Sequence, residues 1–114
     1  KEYSSHLKSD IRFRDRLSRL EVELTALEIT NLRFLDRMRR TGQPPGADVS
    51  MLKIKGTEIQ QGLTELMMQA VDPAASDELS VSIRKRYLSM RKTTIYAGSN
   101  EIQRNIIAKM TLGL

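Results

Sequence analysis

The chain has no cysteine and no tryptophan, a single histidine, three prolines and an aromatic content of only 4%. Each scarcity excludes something. Without thiols there is no disulfide, no thiolate nucleophile and no cysteine-ligated zinc. The lone histidine, His6, lies near the start of the chain and is expected to be solvated and inert. With no second histidine and no cysteine cluster, no transition-metal site is expected. No apolar run approaches the roughly 18 residues that cross a membrane. No secretory leader pattern is visible. A cytoplasmic location with no membrane contact is the expectation. With so few aromatics, the core must be built from Leu, Ile, Val and Met.

The 114 residues suffice for one domain with one core. The sequence opens on Lys1 and not Met, so residues 1–114 are expected to be one domain cut from a longer protein. The net charge is +5, from 19 basic and 14 acidic residues. Basic side chains gather at Arg12, Arg14, Arg16 and Arg19, at Arg33, Arg37, Arg39 and Arg40, and at Arg84, Lys85 and Arg86. Such clusters can grip nucleic acid. Here no aromatics interleave with them and no nucleic-acid motif accompanies them. Solvated helix faces, partly paired with Asp15, Glu21, Glu23 and Asp36, are the simpler reading. The same field can attract a phosphorylated ligand or cofactor.

Periodicity points to helices throughout. Phe13, Leu17, Leu20, Leu24, Leu27, Phe34 and Met38 step by three and four, with Asn31 in the one polar slot. Val22, Ala26, Ile29 and Leu35 widen the stripe. This helix should start near Ser9 or Asp10 and stop before "TGQPPGAD". A second should start near Asp48 or Ser50, with Val49, Leu52, Gly56, Ile59, Leu63, Leu66 and Ala70 on its seam, and end near Val71 ahead of Pro73. Gly56 on that seam marks either close approach of a neighbour or simple tolerance. Ser76 or Asp77 should cap a third helix carrying Leu79, Ile83, Tyr87 and Met90 on one side. It fades into the β-branched Thr93, Thr94 and Ile95. Ser99 should cap a fourth, with Ile102, Ile106, Ile107 and Met110 on its apolar side and Gly113 as its stop. The expected fold is all-α, an up-and-down bundle of about four helices.

Generic motifs of catalysis are absent: no GxGxxG, no Walker loop, no HExxH and no GxSxG. Glu58 and Glu65 sit one heptad apart on the polar side of the second helix, where a solvated face is the simpler reading. The junction suited to chemistry is "YAGSNEIQ". A helix N-terminus presents unpaired N–H groups and partial positive charge. Gly98 allows a turn and close approach of a ligand, and Glu101 suits the helix dipole. That combination fits an anionic or carbonyl-bearing ligand. A merely well-capped loop is the alternative.

"IYAGSNEIQRNIIAKMTLGL" resembles the C-terminal end of the flavin-dependent acyl-CoA dehydrogenases. "SMLKIKGTEIQQ" and "RLSRLEVELTALE" resemble the two bundle helices before it. The likeness runs from about Arg12 onward and implies the C-terminal helical bundle of that family, lacking its first helix. It implies FAD as cofactor, an acyl-CoA as substrate and an electron-transfer flavoprotein as acceptor. Ser99 and Glu101 fall where the family contacts FAD, and Arg91 matches a recurrent arginine. The family's Gly-rich flavin loop should fall between Val71 and Tyr87, where "DPAASDELS" has no glycine.

The family removes an α-proton while hydride leaves the β-carbon for the flavin. Many members carry the base as the Glu of Tyr-Glu-Gly-Thr, a position held here by Ala97, whose methyl cannot take a proton. The resemblance leaves Ala97 and Gly98 as substrate-binding positions through the backbone, with no catalytic side chain assigned. Some members place the base on an earlier helix; others are non-catalytic partners in two-subunit complexes. An apolar stripe left uncovered by a missing helix should drive association into a homo-oligomer or a two-subunit hetero-oligomer.

Overall fold

The computed structural model describes residues 6–72 and 74–113. The side chain of His6 and the helix-stopping role of Pro73 lie outside the described residues. Four α-helices follow one another: α1 (Ile11–Thr41), α2 (Asp48–Gln69), α3 (Glu78–Met90) and α4 (Asn100–Leu112). Short 3-10 turns occupy His6–Lys8 and Arg91–Thr94. Among the described residues there is no strand.

The helix ends follow the capping chemistry of the sequence. The Asp10 carboxylate accepts from the N–H groups of Arg12 and Phe13 and starts α1. Gly42, at φ +65°, stops it. The Asp77 carboxylate caps α3 through the N–H of Ser80. Ser99 caps α4, and Gly113 at φ +70° ends it. α2 is the exception, because Ala47 offers no side-chain cap.

α2 is the hub, with α1 on one side and α3, the 3-10 turn and α4 on the other. The α1 contact is antiparallel: Leu20 meets Gly62, Leu27 meets Gly56, and Arg37 pairs with Asp48. α3 and its turn run back along the C-terminal half of α2, where Arg91 meets Glu65 and Gln61. α4 continues along the N-terminal half, from Asn100 beside Thr57 to Met110 near Gly46. The molecule is long, 53 × 25 × 23 Å, with a radius of gyration of 17.8 Å. A compact domain of this length has about 13 Å. The 31-residue α1, about 46 Å by helix rise, sets that length.

The apolar stripes are only partly used. On α1, Phe13, Leu20, Leu27, Phe34 and Met38 are half-buried, but none of its residues is fully buried. Leu17, Leu24, Val22, Ile29 and Leu35, expected on the core side, are exposed. The reason is geometric: α1 touches α2 along one narrow seam, and its other flank has no neighbour here. Val49 and Leu63 of α2 and Leu79 of α3 are likewise exposed, Leu79 by 67%. So are Ile102 and Met110 of α4, of whose expected apolar side only Ile106 and Ile107 are half-buried.

The α2 core is Ile54, Ile59 and Leu66, the last 2% exposed. A second stripe on α2 runs Ser50, Ile54, Thr57, Gln61, Thr64, at helical spacing and mostly polar. Its Thr57 and Gln61 hydrogen-bond to the returning arm. The basic clusters are partly paired: Arg16 with Glu65, Arg19 with Asp15, Arg37 with Asp48, Arg40 with Asp36. Arg84 donates to the carbonyl of Ala75 at 2.6 Å. Among the described residues no helix is long and apolar enough to cross a membrane.

Candidate functional site

The junction between the 3-10 turn and α4 is built from three segments of chain. Gln61 of α2 anchors the turn, its amide 3.3 Å from the Met90 carbonyl and 3.2 Å from that of Arg91. Thr93, 1% exposed, donates to Met90 at 2.8 Å and seats the turn against the bundle. Arg91 stacks on Tyr87 at 4.5 Å and reaches Glu65 at 2.9 Å, so the family-like arginine points into α2 and fastens α3 to it.

Beyond the turn the chain bends through two successive residues of positive φ. Ala97 takes φ +56° and Gly98 φ +81°. A left-handed conformation costs an L-residue roughly 1–2 kcal/mol, so Ala97 is held there by its surroundings. Gly98 is needed for its φ; a Cβ there would also lie 2.6 Å from the Gln103 amide nitrogen, the end of a flexible side chain that would have to move. That amide approaches the Ala97 carbonyl at 3.4 Å. Among the described residues no acceptor meets the N–H of Ala97 or of Gly98, and both residues are exposed.

Ser99 then caps α4. Its hydroxyl oxygen accepts from the Ile102 N–H at 3.3 Å. Glu101, in the first helical turn, has its carboxyl held below the ordinary range. The chief cause is its own backbone N–H, followed by the Ser99 hydroxyl and the charges of Arg104 and Lys53. It is therefore ionised near neutral pH, an acceptor for hydroxyl or N–H groups. Asn100, 3% exposed, is buried against Thr57, its amide donating to the Thr57 hydroxyl at 3.1 Å. Lys53 donates to Asn100 Oδ1 at 2.7 Å and to the Gly98 carbonyl at 2.8 Å.

The four sequence-expected positions thus share one exposed ridge: two backbone amides, a helix cap and a carboxylate at a helix N-terminus. Lys53, Thr57, Asn100 and Gln103 support that ridge and were not expected from the sequence. For Lys53 and Thr57 the signal was the polar side of α2, where one turn separates them.

The chain matches the acyl-CoA dehydrogenase C-terminal domain over residues 2–112. The chain belongs to the acyl-CoA dehydrogenase family. It is similar to acyl-CoA dehydrogenase IpdE1 of Mycobacterium tuberculosis, 34% identical over 108 residues, covering 92% of this chain and 27% of that protein. It is also similar to acyl-CoA dehydrogenase IpdE1 of Mycolicibacterium smegmatis, 64% identical over 31 residues, or 27% of this chain and 8% of that one. The chain therefore spans about a quarter of the length of the first of these relatives. No solved structure matches it.

The acyl-CoA dehydrogenase ridge can be tested against the flavin that the family implies. Its donor set is backbone N–H and its acceptor is an ionised carboxylate. These fit the hydroxyl-bearing part of a dinucleotide, with Glu101 accepting and the start of α4 donating. Ser99 accepts the Ile102 N–H as the cap, which leaves its hydroxyl a proton and one lone pair to offer. The clefts along α1, one of them lined by Glu23, Leu27, Met51, Lys55 and Ile59, lie away from this ridge.

Proposed function

We propose that this chain forms the helical wall of the flavin and thioester site in a longer acyl-CoA dehydrogenase. That enzyme would oxidise an acyl-CoA to the 2-enoyl-CoA and pass the electrons to an electron-transfer flavoprotein. FAD, when bound, accepts the hydride that leaves the β-carbon. The work of this chain is to bind and orient. The Ala97 N–H donates to the thioester carbonyl and strengthens its hold as negative charge develops there on loss of the α-proton. Gly98 keeps that approach open. Ser99 and Glu101 hold the cofactor, Glu101 by accepting from one of its hydroxyls. The Ala97 methyl takes no proton, so the base comes from outside these residues.

The observation that carries this reading is the pair of unpartnered, exposed N–H groups of Ala97 and Gly98 in a left-handed turn at the start of α4. The test is absorbance spectroscopy. The 114-residue chain alone should hold no FAD and show no turnover. The longer protein should bind FAD, and its flavin band should bleach on addition of an acyl-CoA. A longer protein that carries no flavin would defeat the reading.

Ala97 also favours a second reading, in which the longer protein is a non-catalytic, FAD-sharing or structural subunit of a two-subunit complex. Under that reading it is inactive alone, and turnover appears only on co-expression with its partner. In both readings the protein is a cytoplasmic oligomer, homo-oligomeric in the first and hetero-oligomeric in the second.

A further inference from the structure

The turn that presents the amides is strained at Ala97, and a strained backbone persists only where its surroundings over-determine it. Two side chains do so, each by gripping a carbonyl. Gln103 reaches the carbonyl of Ala97 from within α4. Lys53 reaches the carbonyl of Gly98 from α2, 45 residues earlier in the chain, at 2.8 Å. The Lys53 bond is the shorter and carries a full charge, so it is the stronger of the two.

No peptide bond in the described chain is cis. In a trans peptide the N–H points opposite to the C=O. Drawing the Gly98 carbonyl toward α2 therefore turns the Ser99 N–H away from α2. Gln103 does the same for the Gly98 N–H. The ammonium of Lys53 is also committed to Asn100 Oδ1 at 2.7 Å, and Asn100 is itself fixed by the Thr57 hydroxyl at 3.1 Å. Thr57 closes the set by donating to the Ile54 carbonyl at 2.9 Å. Two of the three ammonium donors are thus spent inside the protein. A lysine held in this way is oriented inward and is poorly placed to serve as a cation for a ligand.

We propose that Lys53 is a positioning residue for this junction: it clamps the Gly98 carbonyl and Asn100 onto α2, fixes the Ser99 N–H directly, and so holds in place the turn whose Ala97 and Gly98 amides meet a ligand carbonyl or anion. The proposal rests on the site reading of the preceding section. It adds a residue on a different helix that acts through the turn and, by its charge, on the Glu101 carboxylate.

The test is Lys53→Met, read in two ways. In the 114-residue chain, backbone order parameters of Ala97, Gly98 and Ser99 fall from the rigid level of about 0.85 to below about 0.6, while those of α1 and α2 hold. In the flavin-loaded longer protein, kcat falls about tenfold with KM unchanged, because the lost interaction is one that grows in the transition state. If Lys53→Met does not fold, Lys53→Gln, which removes the charge and shortens the reach, is read in the same two ways. Unchanged order parameters would overturn the proposal. A raised KM with unchanged kcat would overturn it too, since it would make Lys53 a cation for the ligand. A loosened turn with unchanged kinetics would separate the clamp from recognition and overturn the positioning role. A wild-type protein without flavin or turnover would sink the site reading, and the order parameters would still decide whether Lys53 sets the turn.

Discussion

Gly62 of α2 lies directly against Leu20 of α1: a Cβ added at Gly62 would meet Leu20 Cδ2 at 3.0 Å. Gly56, one and two-thirds turns earlier on the same helix, faces Leu27 with more room, 3.8 Å. The close approach of α1 and α2 is therefore at Gly62, a position outside the sequence seam, while Gly56 is merely tolerated. Both glycines lie inside a helix, where Gly costs about 0.8–1 kcal/mol relative to Ala. Gly56→Ala should raise stability by roughly 0.5–1 kcal/mol. Gly62→Ala should gain less, because Leu20 must give by a few tenths of an ångström first. Chemical denaturation of the two variants side by side checks this. A larger gain at Gly62 would show that the helices are not closest there.

Gln61 carries the returning arm at one point. Its side-chain amide serves the carbonyls of Met90 and Arg91, and its main-chain carbonyl receives Arg91 Nη2 at 3.2 Å. Gln61→Leu keeps the bulk and removes the donor. The Met90 carbonyl keeps the Thr93 hydroxyl as donor, so the loss is that of the tie itself, about 0.5–1.5 kcal/mol. The 3-10 turn and the start of α4 should lose order before α1 does, as seen in amide exchange measured helix by helix. Uniform loss across all four helices would place the role of Gln61 elsewhere.

The parts that sequence made legible are those where one residue type does the local chemistry. Asp10, Asp77 and Ser99 cap helices because a short side-chain oxygen reaches a free N–H, and Gly42 and Gly113 end them because they take positive φ. The Gly98 turn and the Glu101 position were legible for the same reason. The polar stripe Ser50, Thr57, Gln61, Thr64 was not, since hydropathy finds only apolar contact and this interface is held by hydrogen bonds. Nor was the exposure of Leu17 and Leu24, which depends on what stands beside α1 and not on α1 itself. Lys53 escaped because its partner Gly98 is distant in sequence, and a backbone carbonyl leaves no mark on composition.

Two carboxylates at helix starts should give the fold an acid sensitivity. Asp77 has its carboxyl held below the ordinary 3.8, chiefly by the Ser80 hydroxyl and then by the Ser80 N–H. Glu101 is held below the ordinary 4.5, chiefly by its own N–H and then by the Ser99 hydroxyl. A carboxylate with a depressed folded value contributes stability above its unfolded value. That contribution is lost as pH falls through the folded value. The thermal midpoint should therefore drop on acidification below about pH 4. Asp77→Asn keeps an acceptor for the Ser80 N–H and removes the titration. Its midpoint should depend less steeply on pH in that window, measured by far-UV circular dichroism. An equally steep dependence in the variant would remove Asp77 from the account.

Ala97 should distinguish strain from side-chain packing. The residue is exposed, so its methyl contributes little burial, and its φ of +56° is its main energetic feature. Ala97→Gly removes a left-handed penalty of roughly 1–2 kcal/mol and adds about 0.5–1 kcal/mol of unfolded-chain entropy, so the net change should lie near zero or be mildly stabilising. Ala97→Val places a β-branched side chain at positive φ, where such residues are true outliers, and should destabilise by at least about 1 kcal/mol. Neither change removes the backbone N–H. If amide recognition is the function of this position, the glycine variant of the longer protein should bind and turn over acyl-CoA like the parent, and the valine variant should weaken in step with the loss of its turn. Ala97→Glu probes the remaining question. With a base supplied from an earlier helix, a carboxyl here leaves turnover no higher than in the parent. In a subunit with no base, it is the one change that could create turnover where the parent has none.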